Sequence, residues 1–201
     1  MAKATVEGYQ GNMGKYNIAA CVKHFAAYGA AEGGRDYNTV DMSERTLREY
    51  YLPAYKSAVD AGVKMLMTAF NIVDGVPCVG NKHLVKEILR DEWGFDGIVI
   101  SDFGAFREMI THGACEDKKE AALLAFEATC DIEMMSSCYA EHLKELLEEG
   151  KITEEQIDKS VLRILDLKEE LGLFDNPYRS VDVGKHPPPG VRSGFCSLSA
   201  P

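Results

Sequence analysis

The stretch that decides the fold of this 201-residue chain is Gly97-Ile98-Val99-Ile100-Ser101-Asp102-Phe103-Gly104. A glycine followed by three β-branched residues is typical of a short strand that is buried on both faces, as strands of parallel sheets are. The run ends abruptly in Ser-Asp, which places one carboxylate at the carboxyl end of the strand. In barrels of parallel strands this rim carries the chemistry. Taken alone, a helix-capping aspartate after a core strand is the more frequent explanation.

A strand followed by a helix recurs about four times along the chain. The segments predicted as strands are 16–23, 63–70, 97–101 and 130–135, and those with helical spacing are 43–62, 81–93, 118–128, 140–149 and 153–171. The last helix is predicted to bury a stripe that consists of Ile157, Val161, Ile164, Leu165 and Leu167. Repeated βα units predict an α/β fold with a parallel sheet.

The number of units points to an incomplete barrel. A (β/α)8 barrel needs eight units and commonly has about 250 residues, so about four units predict half of one. After Tyr178 the sequence contains three consecutive prolines and no periodicity. We therefore expect one domain over residues 1–178, followed by a disordered, proline-rich tail over residues 179–201.

Composition and charge exclude several classes of partner. The net charge of -10 and the isoelectric point near 5.0 argue against a nucleic acid or an anionic membrane surface. The sequence has no long apolar run and begins without the apolar core of a signal peptide, which predicts no membrane insertion and a cytoplasmic location. The six cysteines lack CxxC or CxH spacing, so we expect reduced thiols, no metal site and no cofactor.

Each predicted strand ends in or is followed by polar side chains at the same rim. They are Lys23 and His24, then Asn71, then Asp102, then Asp131 and Glu133. Each alone has an ordinary structural explanation, such as a surface ion pair. Because parallel strands end at one rim, however, Lys23, His24 and Asp102 are together expected to line one crevice. The two basic residues would keep Asp102 ionised and donate hydrogen bonds to a polyhydroxylated ligand.

Six blocks of sequence carry a more specific signal. They are Lys23-His24-Phe25, Gly34-Arg35-Asp36-Tyr37-Asn38, Ser43-Glu44-Arg45-Thr46-Leu47-Arg48-Glu49, Met67-Thr68-Ala69-Phe70-Asn71, Ile100-Ser101-Asp102 and Leu171-Gly172-Leu173-Phe174. In this order they resemble glycoside hydrolase family 3, the β-glucosidase family. The resemblance extends from about Val6 to Tyr178. It implies the C-terminal half of the family's N-terminal TIM-type barrel, plus the helical segment that leads toward an α/β sandwich.

The resemblance also implies roles for individual polar side chains. Asp102 matches the family's catalytic nucleophile. Lys23 and His24 match the pair that binds hydroxyls of the sugar whose bond is cut. Arg35 matches a loop arginine that supports the same site. On this basis we expect a β-linked glucoside or oligosaccharide as the substrate.

Three apolar residues complete the set of residues expected to bind substrate. Met67 matches an apolar wall of the family's site. Phe70 stands where many members carry Tyr, and Phe103 stands where many carry Trp. The missing tyrosine hydroxyl removes one hydrogen bond beside the nucleophile, so the orientation of its carboxylate is less constrained.

The expected chemistry needs more than this chain contains. Retaining hydrolysis uses one ionised carboxylate as nucleophile and one protonated carboxyl about 5 Å away as acid and base. In the family the second group comes from the sandwich domain, and further sugar-binding residues come from earlier strands. We therefore expect a β-glucosidase-like chain that is inactive alone and that self-associates through its open barrel edges.

Two alternatives remain open at this point. Lys23 at a strand end is also compatible with a barrel aldolase that forms a Schiff base with its substrate. The glycosidase remains the leading hypothesis, and the second alternative is a non-catalytic, truncated product that folds poorly or only as an oligomer.

Overall fold

The computed structural model describes residues 1–179. Its α-helices are α1 (Ala2–Gln10), α2 (Glu44–Thr46), α3 (Pro53–Asp60), α4 (Ala105–Thr111), α5 (Lys118–Glu127), α6 (Cys138–Glu148) and α7 (Glu154–Glu170). Its strands are β1 (Cys21–Phe25), β2 (Thr39–Val40), β3 (Met65–Thr68), β4 (Ile72–Val73), β5 (Val76–Pro77) and β6 (Ile98–Ile100). The segments Leu47–Tyr51 and His83–Glu92 are π-helical, and Tyr28–Ala30, Glu32–Gly34 and Cys78–Gly80 are short 3-10 helices.

The main sheet is parallel and has the order β1-β3-β6. Cys21 pairs with Met65, and Met65 pairs with Ile98, so the three strands start in register. A fourth segment joins β6 through one parallel bridge between Ile100 and Ile132. The predicted α/β fold with a parallel sheet and helices is confirmed.

The hydrophobic core lies between this sheet and the helices. Its largest fully buried side chains include Phe25, Leu66, Leu84, Ile88, Leu89, Val99, Phe106 and Met109. Leu66 and Val99 come from the same face of neighbouring strands, so the helices cover that face continuously. Burial of this apolar surface is the main term that holds the strands in place.

A second, smaller sheet joins two loops beside the main sheet. β2 pairs with β4 in parallel, and β4 pairs with β5 through a hairpin that turns at Asp74 and Gly75, both with positive φ. The backbone N–H of Ile72 also donates to the carbonyl of Asn38 at 3.4 Å. The loop that follows β1 is thereby fastened to the segment that follows β3.

The first and last predicted strands are shorter than expected. Residues 16–20 are not part of β1, because the neighbouring strand offers its backbone only from Met65 onward. The side chain of Gln10 holds this entry segment instead, since its Oε1 accepts from the backbone N–H groups of Ala20 and Lys64. The predicted strand 130–135 is reduced to the single bridge at Ile132, and positive φ values at Thr129 and Met135 bound this segment on both sides.

Two predicted features of the helices also need correction. The helix predicted over 43–62 begins as expected, with the Ser43 hydroxyl accepting from the backbone N–H of Thr46, but it is divided before Pro53. Proline has no N–H to donate and its ring clashes with the preceding turn, and here Leu52 bonds to the carbonyl of Leu47 in a π-turn. The helix α4 was expected to be loop.

The apolar stripe predicted for α7 is only partly covered. Val161 is 44% exposed and Leu165 is 39% exposed, whereas Ile157 packs against the core. The helix reaches the sheet through polar residues instead, namely Ser160 and Arg163. Hydrophobic spacing alone could not identify this polar contact face.

Those contacts meet at Asp131, which was expected at the rim and is instead buried. Its side chain is 0% exposed and forms ion pairs with Arg90 at 2.6 Å and Arg163 at 2.8 Å. It also accepts from the backbone N–H of Val99 and from the Ser160 hydroxyl, both at 2.8 Å. This aspartate therefore joins a helix on each side to β6 and does not contribute to a binding crevice.

In the described residues, every helix is too short or too polar to cross a lipid bilayer. The predicted tail lies outside the described residues from position 180 onward. Arg179, which was assigned to it, donates to the carbonyl of Met13 at 2.7 Å.

Candidate active site

Asp102 follows the carboxyl end of β6 and is largely buried, with a side chain that is 14% exposed. Its Oδ1 accepts from the backbone N–H of Phe103 at 2.6 Å. Its Oδ2 lies 3.4 Å from Nε2 of His24. One carboxylate oxygen is thus held by the backbone, and the other faces an imidazole from a different strand.

His24 reaches Asp102 from β1, across the intervening strand β3. Its ring contacts the edge of Tyr28 at a centroid distance of 5.5 Å, and its backbone carbonyl accepts from the Tyr55 hydroxyl. Lys23, which precedes it through a cis peptide bond, is exposed and forms no ion pair with a carboxylate of residues 1–179. Of the two expected basic residues, only His24 contacts the candidate nucleophile.

Ser101 is a site residue that sequence reasoning did not single out. It is fully buried, its hydroxyl donates to the carbonyl of Asp102 at 3.0 Å, and the same oxygen accepts from the backbone N–H of Met134 at 2.9 Å. The N–H of Gly104 donates to the carbonyl of Met134 at 2.9 Å. These bonds fasten the loop that carries Asp102 to the neighbouring rim loop. A serine directly before a strand-end aspartate was the only local signal for this role.

Glu133 supports that neighbouring loop through hydrogen bonds to the backbone. Its two carboxylate oxygens accept from the backbone N–H groups of Cys138 and Tyr139, at 2.8 and 2.7 Å. These are unpaired donors at the start of α6, where a negative charge is favourable. Glu133 was predicted only as one of the polar residues at the strand ends, and both of its carboxylate oxygens are occupied by these backbone donors.

The four remaining predicted site residues lie on elements at the same rim, with different exposure. Met67 is the register partner of Ile100 on β3 and is partly exposed. Phe70 follows β3 and is also partly exposed, whereas Phe103 is 63% exposed. Arg35 is exposed and pairs with no acidic side chain in the described part of the chain.

Tyr28 is a second residue that sequence reasoning missed. Besides its contact with His24, its ring lies 6.2 Å from that of Phe70. Burial is the largest influence on its hydroxyl, followed by a hydrogen bond with Asp36, and together they raise the pKa of Tyr28 far above its usual value. The hydroxyl therefore remains protonated and able to donate. No spacing rule connected this loop tyrosine to a histidine four residues earlier.

The arrangement suits nucleophilic chemistry by a carboxylate. Asp102 is partly desolvated and is oriented by one backbone donor and one imidazole, which is what a carboxylate nucleophile requires. In residues 1–179 no group of three or more His, Cys, Asp or Glu side chains is arranged to hold a metal ion.

Comparison with known proteins gives the relationship of the chain. The family model of the glycosyl hydrolase family 3 N terminal domain matches residues 1–167. A periplasmic beta-glucosidase of Salmonella typhimurium is 42% identical over 89% of this chain and 24% of its own length. A putative beta-xylosidase of Formosa agariphila is 35% identical over 96% of this chain and 26% of its own length.

Solved structures give the same result. The crystal structure of a beta-glucosidase from Listeria innocua in complex with glucose matches with a TM-score of 0.87 and 55% identity, over 90% of this chain and 26% of that one. The chain thus spans about a quarter of the length of the relatives it matches. These matches give no support to the aldolase alternative. On the family model and these relatives together, the chain belongs to glycoside hydrolase family 3.

Proposed function

We propose that this chain forms the nucleophile-bearing half of the (β/α)8 barrel of a retaining β-glycosidase that acts on β-linked glucosides or oligosaccharides. The observation that carries the proposal is the placement of Asp102 at the carboxyl end of β6, with its Oδ2 3.4 Å from His24. The β-glucosidase and β-xylosidase relatives support a glycoside as the substrate.

In this mechanism Asp102 attacks the anomeric carbon. The carbon–oxygen bond to the leaving group breaks as the bond to the carboxylate forms, and the departing oxygen takes the electron pair. His24, Lys23 and Arg35 would donate to sugar hydroxyls, while Met67, Phe70 and Phe103 would line the apolar walls. The acid that protonates an ordinary leaving group would come from outside this chain, so we expect little turnover by the chain alone.

A reagent that needs no acid tests the nucleophile directly. 2,4-Dinitrophenyl 2-deoxy-2-fluoro-β-glucoside releases a stable phenolate without protonation, and its fluorine slows hydrolysis of the glycosyl-enzyme. We expect intact-mass and peptide analysis to show one fluoroglucosyl group on Asp102. Asp102→Asn should remain unlabelled, whereas Asp96→Asn, at an exposed carboxylate before β6, should be labelled like the parent chain.

Two outcomes would contradict the proposal. A folded chain that is not labelled at Asp102 would remove Asp102 from the role of nucleophile. Hydrolysis of an ordinary aryl β-glucoside by the unmodified chain that disappears in Asp102→Ala would show that an acid lies within the chain, and so would contradict its proposed inactivity.

We also propose that the two sides of the main sheet accept further strands. β1 pairs only with β3, and the segment at Ile132 is held to β6 by one bridge, so each side offers unpaired backbone groups within the described residues. A second copy or the remainder of a barrel would cover them. Sedimentation of the chain should show self-association, and a compact monomer over a wide concentration range would contradict it. A cytoplasmic location and the absence of nucleic-acid and membrane partners remain predictions.

A further inference from the structure

A continuous line of aromatic rings leads away from the candidate nucleophile. Tyr28 contacts His24 at 5.5 Å, Phe70 lies 6.2 Å from Tyr28, and Tyr37 lies 4.6 Å from Phe70, all measured between ring centroids. The proposed function uses His24 and Phe70, but it leaves Tyr37 at the outer end of this line without a role.

Tyr37 presents its ring to solvent although it packs on another aromatic residue. Its exposed fraction is 42%, and its closest ring contact is with Phe70 at an interplanar angle of 56°. Part of the ring is therefore free, and the part in contact is supported by a partly buried phenyl ring. Aromatic rings pair favourably in offset or tilted geometry at centroid distances of about 4.5 to 7 Å.

The backbone holds Tyr37 in a conformation that a bulky side chain rarely adopts. Its φ is 65°, in the left-handed region. The next residue fastens this turn, because the Asn38 side chain donates to the carbonyl of Glu32 at 3.0 Å and its Oδ1 accepts from the backbone N–H of Thr39 at 2.9 Å. Thr39 is itself paired with Ile72 in the small sheet. An unfavourable backbone conformation that is maintained by its surroundings is a reason to look for function.

We propose that Tyr37, supported by Phe70 and Tyr28, is a platform for an aromatic leaving group, so that the site is selective for aryl β-glucosides. The inference rests on the proposed function, in which Asp102 and His24 bind the sugar ring, and it assigns the exposed outer end of the line of rings to the leaving-group side. A planar aromatic group gains from stacking on the exposed ring, whereas a small leaving group gains nothing there.

Two reagents that deliver the same sugar separate this role from others. 2,4-Dinitrophenyl 2-deoxy-2-fluoro-β-glucoside and 2-deoxy-2-fluoro-β-glucosyl fluoride both form the same ester on Asp102, but they release dinitrophenolate and fluoride respectively. For Tyr37→Ala we expect the second-order labelling rate to fall about 5- to 10-fold with the aryl reagent, from the loss of one aromatic pair, and to be unchanged with the fluoride.

Two variants keep the test independent of folding. Tyr37→Gly removes the ring and suits a φ of 65°, so it should fold at least as well as the parent and show the same selective loss. Tyr37→Phe keeps the ring and should label like the parent. Tyr50→Ala, which removes an even more exposed tyrosine from the segment Leu47–Tyr51, should change neither rate.

The remaining outcomes each overturn the inference. An equal loss with both reagents would show that Tyr37 maintains the loop or the sugar site and does not bind the leaving group. Unchanged rates with both would show that the platform has no role. If neither reagent labels Asp102 in the parent chain, the proposed function itself fails, and this result is distinct from labelling that is insensitive to Tyr37.

Discussion

Replacing Asp131 with asparagine is expected to lower the free energy of unfolding by about 3 to 5 kcal/mol, which is typical of removing one partner of a buried ion pair. The aspartate is completely buried, and Arg90, its closest partner, is only 7% exposed. The substitution keeps the shape of the side chain and removes only its charge and one acceptor. Packing therefore changes little, and the cost is electrostatic.

The magnitude follows from the four donors that converge on the carboxylate. Oδ2 accepts from Arg90 and the Val99 N–H, and Oδ1 accepts from Ser160 and Arg163. Asparagine supplies one acceptor oxygen and one amide that is itself a donor, so two of the four donors face another donor. Each buried donor that loses its partner costs about 1 to 3 kcal/mol. The total is a large share of the roughly 5 to 15 kcal/mol by which a domain is usually stable.

Urea unfolding followed by far-UV circular dichroism measures this loss. Lys119→Gln is a matched control for charge removal, because Lys119 also pairs with two acidic residues, Glu145 and Glu149, but on the surface. It should lower the free energy of unfolding far less than Asp131→Asn does, because exposed ion pairs contribute little to stability. Asp131→Asn should also show partial recovery when Arg163→Gln is added, since one unpaired cation is then removed. A loss below about 1 kcal/mol for Asp131→Asn would refute the reasoning.

Two further predictions concern packing and pH. Gly97→Ala should lower the free energy of unfolding by about 1 to 3 kcal/mol in the same assay, because a Cβ at this position would lie 2.5 Å from the carbonyl oxygen of Lys64. Gly29→Ala is the control: it has open space around it and should leave the stability unchanged. The hydrogen bond to Glu87, and to a smaller extent the one to Glu44, raises the pKa of His83 above its usual value of 6.5. The protonated ring therefore stabilises the fold fully below pH 6.5, and this contribution is lost as the pH rises through the pKa of the folded state. This ring is half-exposed, so its ion pairs contribute little. His83→Ala should therefore lower the free energy of unfolding by only about 0.5 kcal/mol more at about pH 6 than at about pH 9. An equal loss at both pH values would contradict a stabilising role of the protonated ring.

Local sequence predicted the position of Asp102 but not its role. An apolar run that ends in a carboxylate marks the end of a strand, and the structure places Asp102 there. Its role as nucleophile, and the roles of Arg35, Met67, Phe70 and Phe103, were implied only by the resemblance to the family. The same rule failed for Asp131, since the rule reports chain position and not which partners are near. Two arginines that lie 41 and 32 residues away in the chain convert this carboxylate into a buried structural group.

The sequence by itself determined the order of the three strands of the main sheet and of most helices around them, because hydrophobic periodicity and capping residues act within a few positions of the chain. It also predicted Lys23, His24 and Asp102 at strand ends; the structure confirms this position for Asp102, whereas Lys23 and His24 lie within β1, which extends to Phe25. Only the tertiary structure decided that His24 and not Lys23 contacts Asp102, that Ser101 binds the backbone N–H of Met134 beside it, and that Tyr37 packs on Phe70. These contacts join distant parts of the chain, and their geometry depends on strand register and loop conformation that no local pattern specifies.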